Sequence, residues 1–121
     1  MKRLRILVVE DDALIGSLLG EMLEDMGYTV CAIETNSENA VAAAARCQPD
    51  LMIVDVRLGE TSGVAAVEEI LRRGFVPHVF VTGDSLRNLS LGPRAVMIQK
   101  PFRGSDISRA IRQALELNSA A

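Results

Sequence analysis

Leu4 to Val9 and Leu51 to Val54 are short, nearly unbroken apolar runs with polar residues on either side. Apolar runs of that length without alternation are the pattern of strands buried on both faces, as in a parallel sheet covered by helices. Val79 to Val81 and Ala95 to Ile98 read the same way, whereas Tyr28 to Ile33 alternates more and predicts a less covered strand. Between these runs the apolar positions recur at helical spacing, over Ala13 to Met26, Ser37 to Cys47, Gly63 to Arg73 and Asp106 to Leu117. Gly27 and Gly74 follow the first and third of these segments and predict their C-terminal caps. Thr35 and Glu38 have capping-box spacing ahead of the second, and Thr61 or Ser62 can cap the third. Pro49, Pro77 and Pro93 all fall between elements, where a missing N–H costs little.

Strand followed by helix, repeated, predicts a doubly wound α/β fold with a parallel sheet and helices on both faces. Right-handed crossovers then send every strand's C-terminal end to one edge of the sheet, where function should collect. One stretch is irregular: Asp84 to Pro93 is short and polar, and predicts at most a short or irregular fourth helix. At 121 residues one domain is expected over the whole chain, 1–121.

Composition narrows the function. Hydrophobic residues make up 49% of the chain, but with one Tyr, three Phe and no Trp the core must be aliphatic, and stacking platforms for bases or flavins are scarce. A net charge of −3 argues against direct binding to nucleic acid, which depends on a basic surface. Cys31 and Cys47 have no metal-ligand spacing and are expected to be reduced packing residues. Nothing approaches the ~20 apolar residues that span a bilayer. The basic start at Lys2 leads into an apolar run too short for a signal peptide, so a cytoplasmic protein is expected.

Glu10, Asp11 and Asp12 follow the first strand directly. Taken alone they fit helix capping as well as chemistry, because acids are favoured at helix N-termini. Asp55 ends the third strand, and the topology sends it to the same edge. Glu10, Asp11 and Asp55 in one cleft would repel one another, and a hard divalent cation resolves that conflict. An all-oxygen donor set with room for waters suits Mg²⁺. Thr82 closes the fourth strand and Lys100 the fifth, adding a hydroxyl and an ammonium to the same edge. A carboxylate nucleophile, a metal, a lysine and a hydroxyl together match phosphoryl transfer.

The segments Ile6 to Asp12, Asp50-Leu51 through Asp55 to Leu58, Gly63, Val81-Thr82-Gly83 and Lys100-Pro101-Phe102 closely resemble receiver domains of response regulators in two-component signalling. Each motif is weak alone, but their order and spacing cover nearly the whole chain. The resemblance implies a flavodoxin-like five-stranded sheet in the order 2-1-3-4-5. It also implies Asp55 as the phosphoacceptor, with Asp11, Asp55 and the main-chain carbonyl of Arg57 as Mg²⁺ ligands. By the same resemblance Glu10 holds a metal-bound water, Thr82 is the switch hydroxyl, Lys100 binds the phosphoryl group, and the Lys100–Pro101 peptide is cis. The donor would be a histidine kinase or a histidine phosphotransfer protein. A monomer or weak dimer is expected, with self-phosphorylation and self-dephosphorylation but no multiple-turnover enzyme activity.

Two features depart from the usual receiver pattern. Three residues before Lys100, where most receivers carry Tyr or Phe, stands Met97. The span from Thr82 to Lys100 is short, and with Phe80-Val81-Thr82-Gly83 and Gly92-Pro93 it resembles the FAT GUY subgroup and the receiver portion of the PhyR stress-response regulators. Arg57 and Asp84 lie two residues beyond Asp55 and Thr82, positions that by the same resemblance flank the path of the water attacking the acyl phosphate; they are expected either to pair across it or to form a solvated surface charge pair. Leu14 and Ile15, on the first helix beside the acidic cleft, are the expected docking residues for a helical partner. His78 is expected to be structural, and Arg103, Arg109 and Arg112 a solvated face. The competing reading is a phosphorylation-independent adaptor that binds a partner without the threonine and aromatic switch.

Overall fold

In the computed structural model, which describes residues 3–83 and 91–119, the core is a five-stranded parallel sheet. Its strands are β1 (Arg5–Val9), β2 (Thr29–Glu34), β3 (Leu51–Asp55), β4 (His78–Thr82) and β5 (Val96–Gln99). They lie side by side in the order β2-β1-β3-β4-β5. The helices are α1 (Ala13–Asp25), α2 (Ser37–Cys47), α3 (Gly63–Leu71) and α4 (Gly104–Ser119). This is the doubly wound, flavodoxin-like order expected from the sequence. The short or irregular helix anticipated after Asp84 falls on residues 84–90, which lie outside the described residues.

The unbroken apolar runs occupy the middle of the sheet. β3 and β4 are buried along their whole length and β1 along all but its first residue, while β2 and β5 at the edges are only partly covered. Alternate side chains feed two cores. Ile6, Val8, Ile53, Val79 and Val81 meet Leu19 and Leu23 of α1 and Ile107 and Ile111 of α4 on one face. Leu7, Val9, Met52, Val54 and Phe80 meet the small residues of α2 and the apolar stripe of α3 on the other. His78 belongs to β4 itself, where the sequence suggested a position just ahead of it. Its ring is buried between Phe75 and Phe80, with Nδ1 2.8 Å from the Val76 carbonyl.

Local signals set the boundaries. Asp12 caps α1, and Gly27 follows the α1 C-cap with a φ of +96°, a left-handed conformation natural to glycine. Ser62 caps α3 through its hydroxyl, which accepts from the Ala65 N–H. The expected capping box on α2 is corrected: the N-cap is Asn36, whose side chain accepts from the Asn39 N–H at 2.8 Å, so Thr35 lies one residue outside. Two short strands, Arg57–Leu58 and Thr61–Ser62, form an antiparallel hairpin between β3 and α3. Among the described residues no helix is long and apolar enough to cross a membrane.

Candidate functional site

The tips of β1, β3 and β5 deliver their polar residues to one cleft. Asp55, the last residue of β3, and Glu10, directly after β1, are 7% and 4% exposed. The Lys100 ammonium, just past β5, bridges them, donating to Glu10 Oε1 at 3.0 Å and to Asp55 Oδ2 at 2.9 Å. Lys100 reaches this position from a cis Lys100–Pro101 peptide, with its own N–H bonded to the Thr82 carbonyl. Asp11 is exposed at the mouth of the cleft, and its Oδ2 accepts from the Gly59 N–H at 3.1 Å. Carboxylate oxygens of Glu10, Asp11 and Asp55 all lie within 4.8 Å of one another.

The acidic triplet divides by role. Asp12 is the helix cap, accepting from the Leu14 and Ile15 N–H groups at 3.0 and 3.2 Å. Glu10 and Asp11 are not caps; they turn towards Asp55.

Glu10 and Asp55 share the Lys100 ammonium, and the Asp11 carboxylate lies close to both. Burial pushes the Glu10 carboxyl up to about 7, against the pull of hydrogen bonds from Lys100 and the Asp12 N–H, while Asp11 and Asp55 add to the rise. Burial works against the Lys100 ammonium, but the Asp55 and Glu10 carboxylates outweigh it and hold its pKa above the ordinary lysine value. An excess of negative charge on converging oxygens is a donor set that fits a hard divalent cation.

Asp55 is held from behind as well. Its Oδ1 accepts from the Arg57 N–H at 3.1 Å, which puts the Arg57 main chain beside the carboxylate. Gly63, the first residue of α3, packs so closely on the Asp55 main chain that any Cβ would collide with the Asp55 carbonyl. Thr82 is buried at the end of β4, one residue past Val81, the register partner of Asp55. Met97 is half-buried in β5, in register with Phe80 and packed against the α2/α3 core. Asp84 lies outside the described residues, and with it the expected pairing with Arg57.

Leu14 and Ile15 are both exposed, Leu14 at 69%, so Ile15 does not pack in the core. Two further apolar residues are exposed: Leu18, one turn beyond Leu14 and 55% exposed, and Ile33 on the edge strand. The surplus of apolar residues on the first helix (Leu14, Ile15, Leu18, Leu19, Met22, Leu23 and Met26) predicts that some reach the surface, and Ile33 ends the strand expected to be less covered, but an α1 that is apolar on several faces does not reveal which one the sheet will cover. The part played by the Gly59 N–H was equally invisible, since a main-chain donor leaves no mark in a sequence.

A model of the response regulator receiver domain matches residues 6–112. The chain belongs to this family. It is 36% identical over 116 residues to the transcriptional regulatory protein PdtaR of Mycobacterium tuberculosis (strain CDC 1551 / Oshkosh), covering 92% of this chain and 56% of PdtaR. It is 34% identical over 121 residues to the phyllosphere-induced regulator PhyR of Methylorubrum extorquens (strain ATCC 14718 / DSM 1338 / JCM 2805 / NCIMB 9133 / AM1), covering 96% of this chain and 45% of PhyR. Among solved structures, PhyR of Bartonella quintana, described as an anti-anti-sigma factor, superposes with a TM-score of 0.86 at 25% identity, covering 99% of this chain and 50% of that one. The receiver thus spans about half the length of these curated relatives. PhyR is similar to this receiver in both sequence and structure, in keeping with the subgroup resemblance.

Proposed function

We propose that this receiver is the phosphoacceptor of a two-component phosphorelay, taking a phosphoryl group from a phosphohistidine partner onto Asp55 in a Mg²⁺-dependent reaction. The observation that carries the reading is the buried Asp55 carboxylate, 2.9 Å from the Lys100 ammonium and grouped with Glu10 and Asp11. Glu10, Asp11, Asp55 and the main chain at Arg57 would hold the ion, which supplies charge neutralisation for the phosphoryl oxygens. An Asp55 carboxylate oxygen attacks phosphorus, the P–N bond to the donor imidazole breaks, and the leaving imidazole nitrogen takes a proton from solvent. The Lys100 ammonium would stay within reach of the oxygens on which charge accumulates, and the Thr82 hydroxyl would bind one of them once the product has formed. The Arg57 N–H and the close seat of Gly63 fix the nucleophile, so little reorganisation is needed.

The switch would act by changing partner binding, and turnover would be limited to self-phosphorylation and self-dephosphorylation. Intact mass after incubation with Mg²⁺ and acetyl phosphate tests the reading. Wild type should gain one phosphoryl group, Asp55→Asn none, and omission of Mg²⁺ should abolish the gain. A wild type that stays unmodified with acetyl phosphate and with every candidate kinase would leave the adaptor as the better reading. Met97 in place of the usual ring is the observation that favours that second reading.

A further inference from the structure

His78 opens β4, at the end of the strand opposite Thr82, so it stands apart from the acidic cleft. It is 3% exposed, and its Nδ1 lies 2.8 Å from the Val76 carbonyl. A carbonyl can only accept, so Nδ1 carries the proton, and in the neutral ring Nε2 is left as an acceptor. Burial holds the His78 pKa below its ordinary value, which keeps the ring neutral. Nε2 has no hydrogen-bond partner among the described residues. Yet among those residues no fully enclosed side-chain nitrogen or oxygen lacks a partner, so Nε2 must border open space. The space that His78 lines is a cavity of about 700 Å³ between α3 and the segment entering β5. Its walls are largely apolar, with Val67 and Leu71 of α3 and the rings of Phe75 and Phe80. Arg94 also lines it, with its guanidinium carbon 4.5 Å from the Phe75 ring centre and no carboxylate partner among the described residues. The Phe75 ring is in turn 5.7 Å from the His78 ring, so guanidinium and imidazole border one aromatic wall.

We propose that this cavity binds a small aromatic carboxylic acid bearing a ring hydroxyl, with the carboxylate paired to Arg94 and the O–H donating to His78 Nε2. Each part of that ligand answers one feature of the site. Apolar walls with a few convergent polar groups, at a volume within the roughly 300–1,000 Å³ of small-molecule sites, suit a compact ring. The rings of Phe75, His78 and Phe80 are already tilted or edge-on to one another, and they offer faces and edges for a further aromatic contact. A guanidinium without a carboxylate partner takes one through parallel N–H donors. Nε2 selects for a donor, because a ligand without one would cover the lone pair and leave it unpaired. Glu68, also at the cavity, is exposed and forms no ion pair with Arg94, so the guanidinium stays available to the ligand.

The test titrates 4-hydroxyphenylacetate into the isotope-labelled whole chain at neutral pH and follows amide and imidazole resonances by NMR. Saturable shifts should centre on His78, Leu71 and Phe75, with a Kd of about 1 mM or tighter. Phenylacetate, which lacks the O–H, and 4-hydroxybenzyl alcohol, which lacks the carboxylate, should each bind at least about five-fold more weakly. Arg94→Gln should reduce 4-hydroxyphenylacetate to the level of the alcohol while the alcohol's own Kd stays within about two-fold, a selective loss that a merely structural role for Arg94 would not produce. Shifts that do not saturate or that fall outside the cavity would overturn the proposal, as would equal binding of the three compounds or an unchanged Kd for the acid in the variant.

Discussion

Glu10 is buried beside two other acids, and the Lys100 ammonium that it binds also serves Asp55. Because its folded-state pKa of about 7 lies above the ordinary 4.5, the folded protein binds a proton that the unfolded chain has already lost between those values. Stability must therefore fall as pH rises through that window, and the loss is complete above the folded pKa. In metal-free buffer the expected difference between wild type and Glu10→Gln is about 2–3 kcal/mol across it. Urea unfolding at a series of pH values measures this, and profiles that run parallel for the two proteins would sink it. Mg²⁺ should stabilise wild type more at pH 8 than at pH 5, since the ion favours ionised carboxylates. The acids and Lys100 were legible in the sequence because each sits at the end of an apolar run, where the topology alone sends it to the shared edge. Gly59 was not, because its contribution is a main-chain N–H brought to Asp11 from 48 residues away by the hairpin.

Among the elements, α2 shows where a sequence signal competes with an equally good neighbour. Thr35 and Glu38 have capping-box spacing, but Asn36 takes the cap, as Asn ranks above Thr at that position. Replacing Asn36 with Ala should cost about 1 kcal/mol, whereas Thr35→Ala should change stability by less than about 0.5 kcal/mol. Thermal or urea denaturation of the two variants decides it, and equal losses would mean that both residues hold the helix end. The central strands were legible as elements because burial on both faces leaves no room for polar positions, and only their ends moved by a residue or so. β2 was harder. Its bulge at Cys31 breaks alternation partway along the strand, and a slip in pairing with β1 is a property of two strands, not of either one's pattern.

At the scale of the molecule, the doubly wound order follows from the βα repetition and the receiver motifs together, and it places the acidic cleft directly beside the N-terminal turns of α1. Leu14 and Leu18 lie one turn apart on the same side of that helix, both more than half exposed. If Asp55 is the phosphoacceptor as proposed, these uncovered apolar side chains would be the surface on which a helical donor rests while its phosphohistidine reaches Asp55. Small donors such as acetyl phosphate need no such surface. Leu18→Arg should therefore slow transfer from a cognate kinase or phosphotransfer protein by about ten-fold or more, a loss of at least about 1.4 kcal/mol in binding. Labelling by acetyl phosphate should stay within about two-fold of wild type, because nothing in the cleft is touched and the substituted side chain already faces solvent. Time courses with the two donors, run in parallel on wild type and variant, separate the possibilities. If both donors slow together, the substitution has disturbed the cleft; if neither slows, the donor docks elsewhere and the exposed leucines of α1 serve another contact.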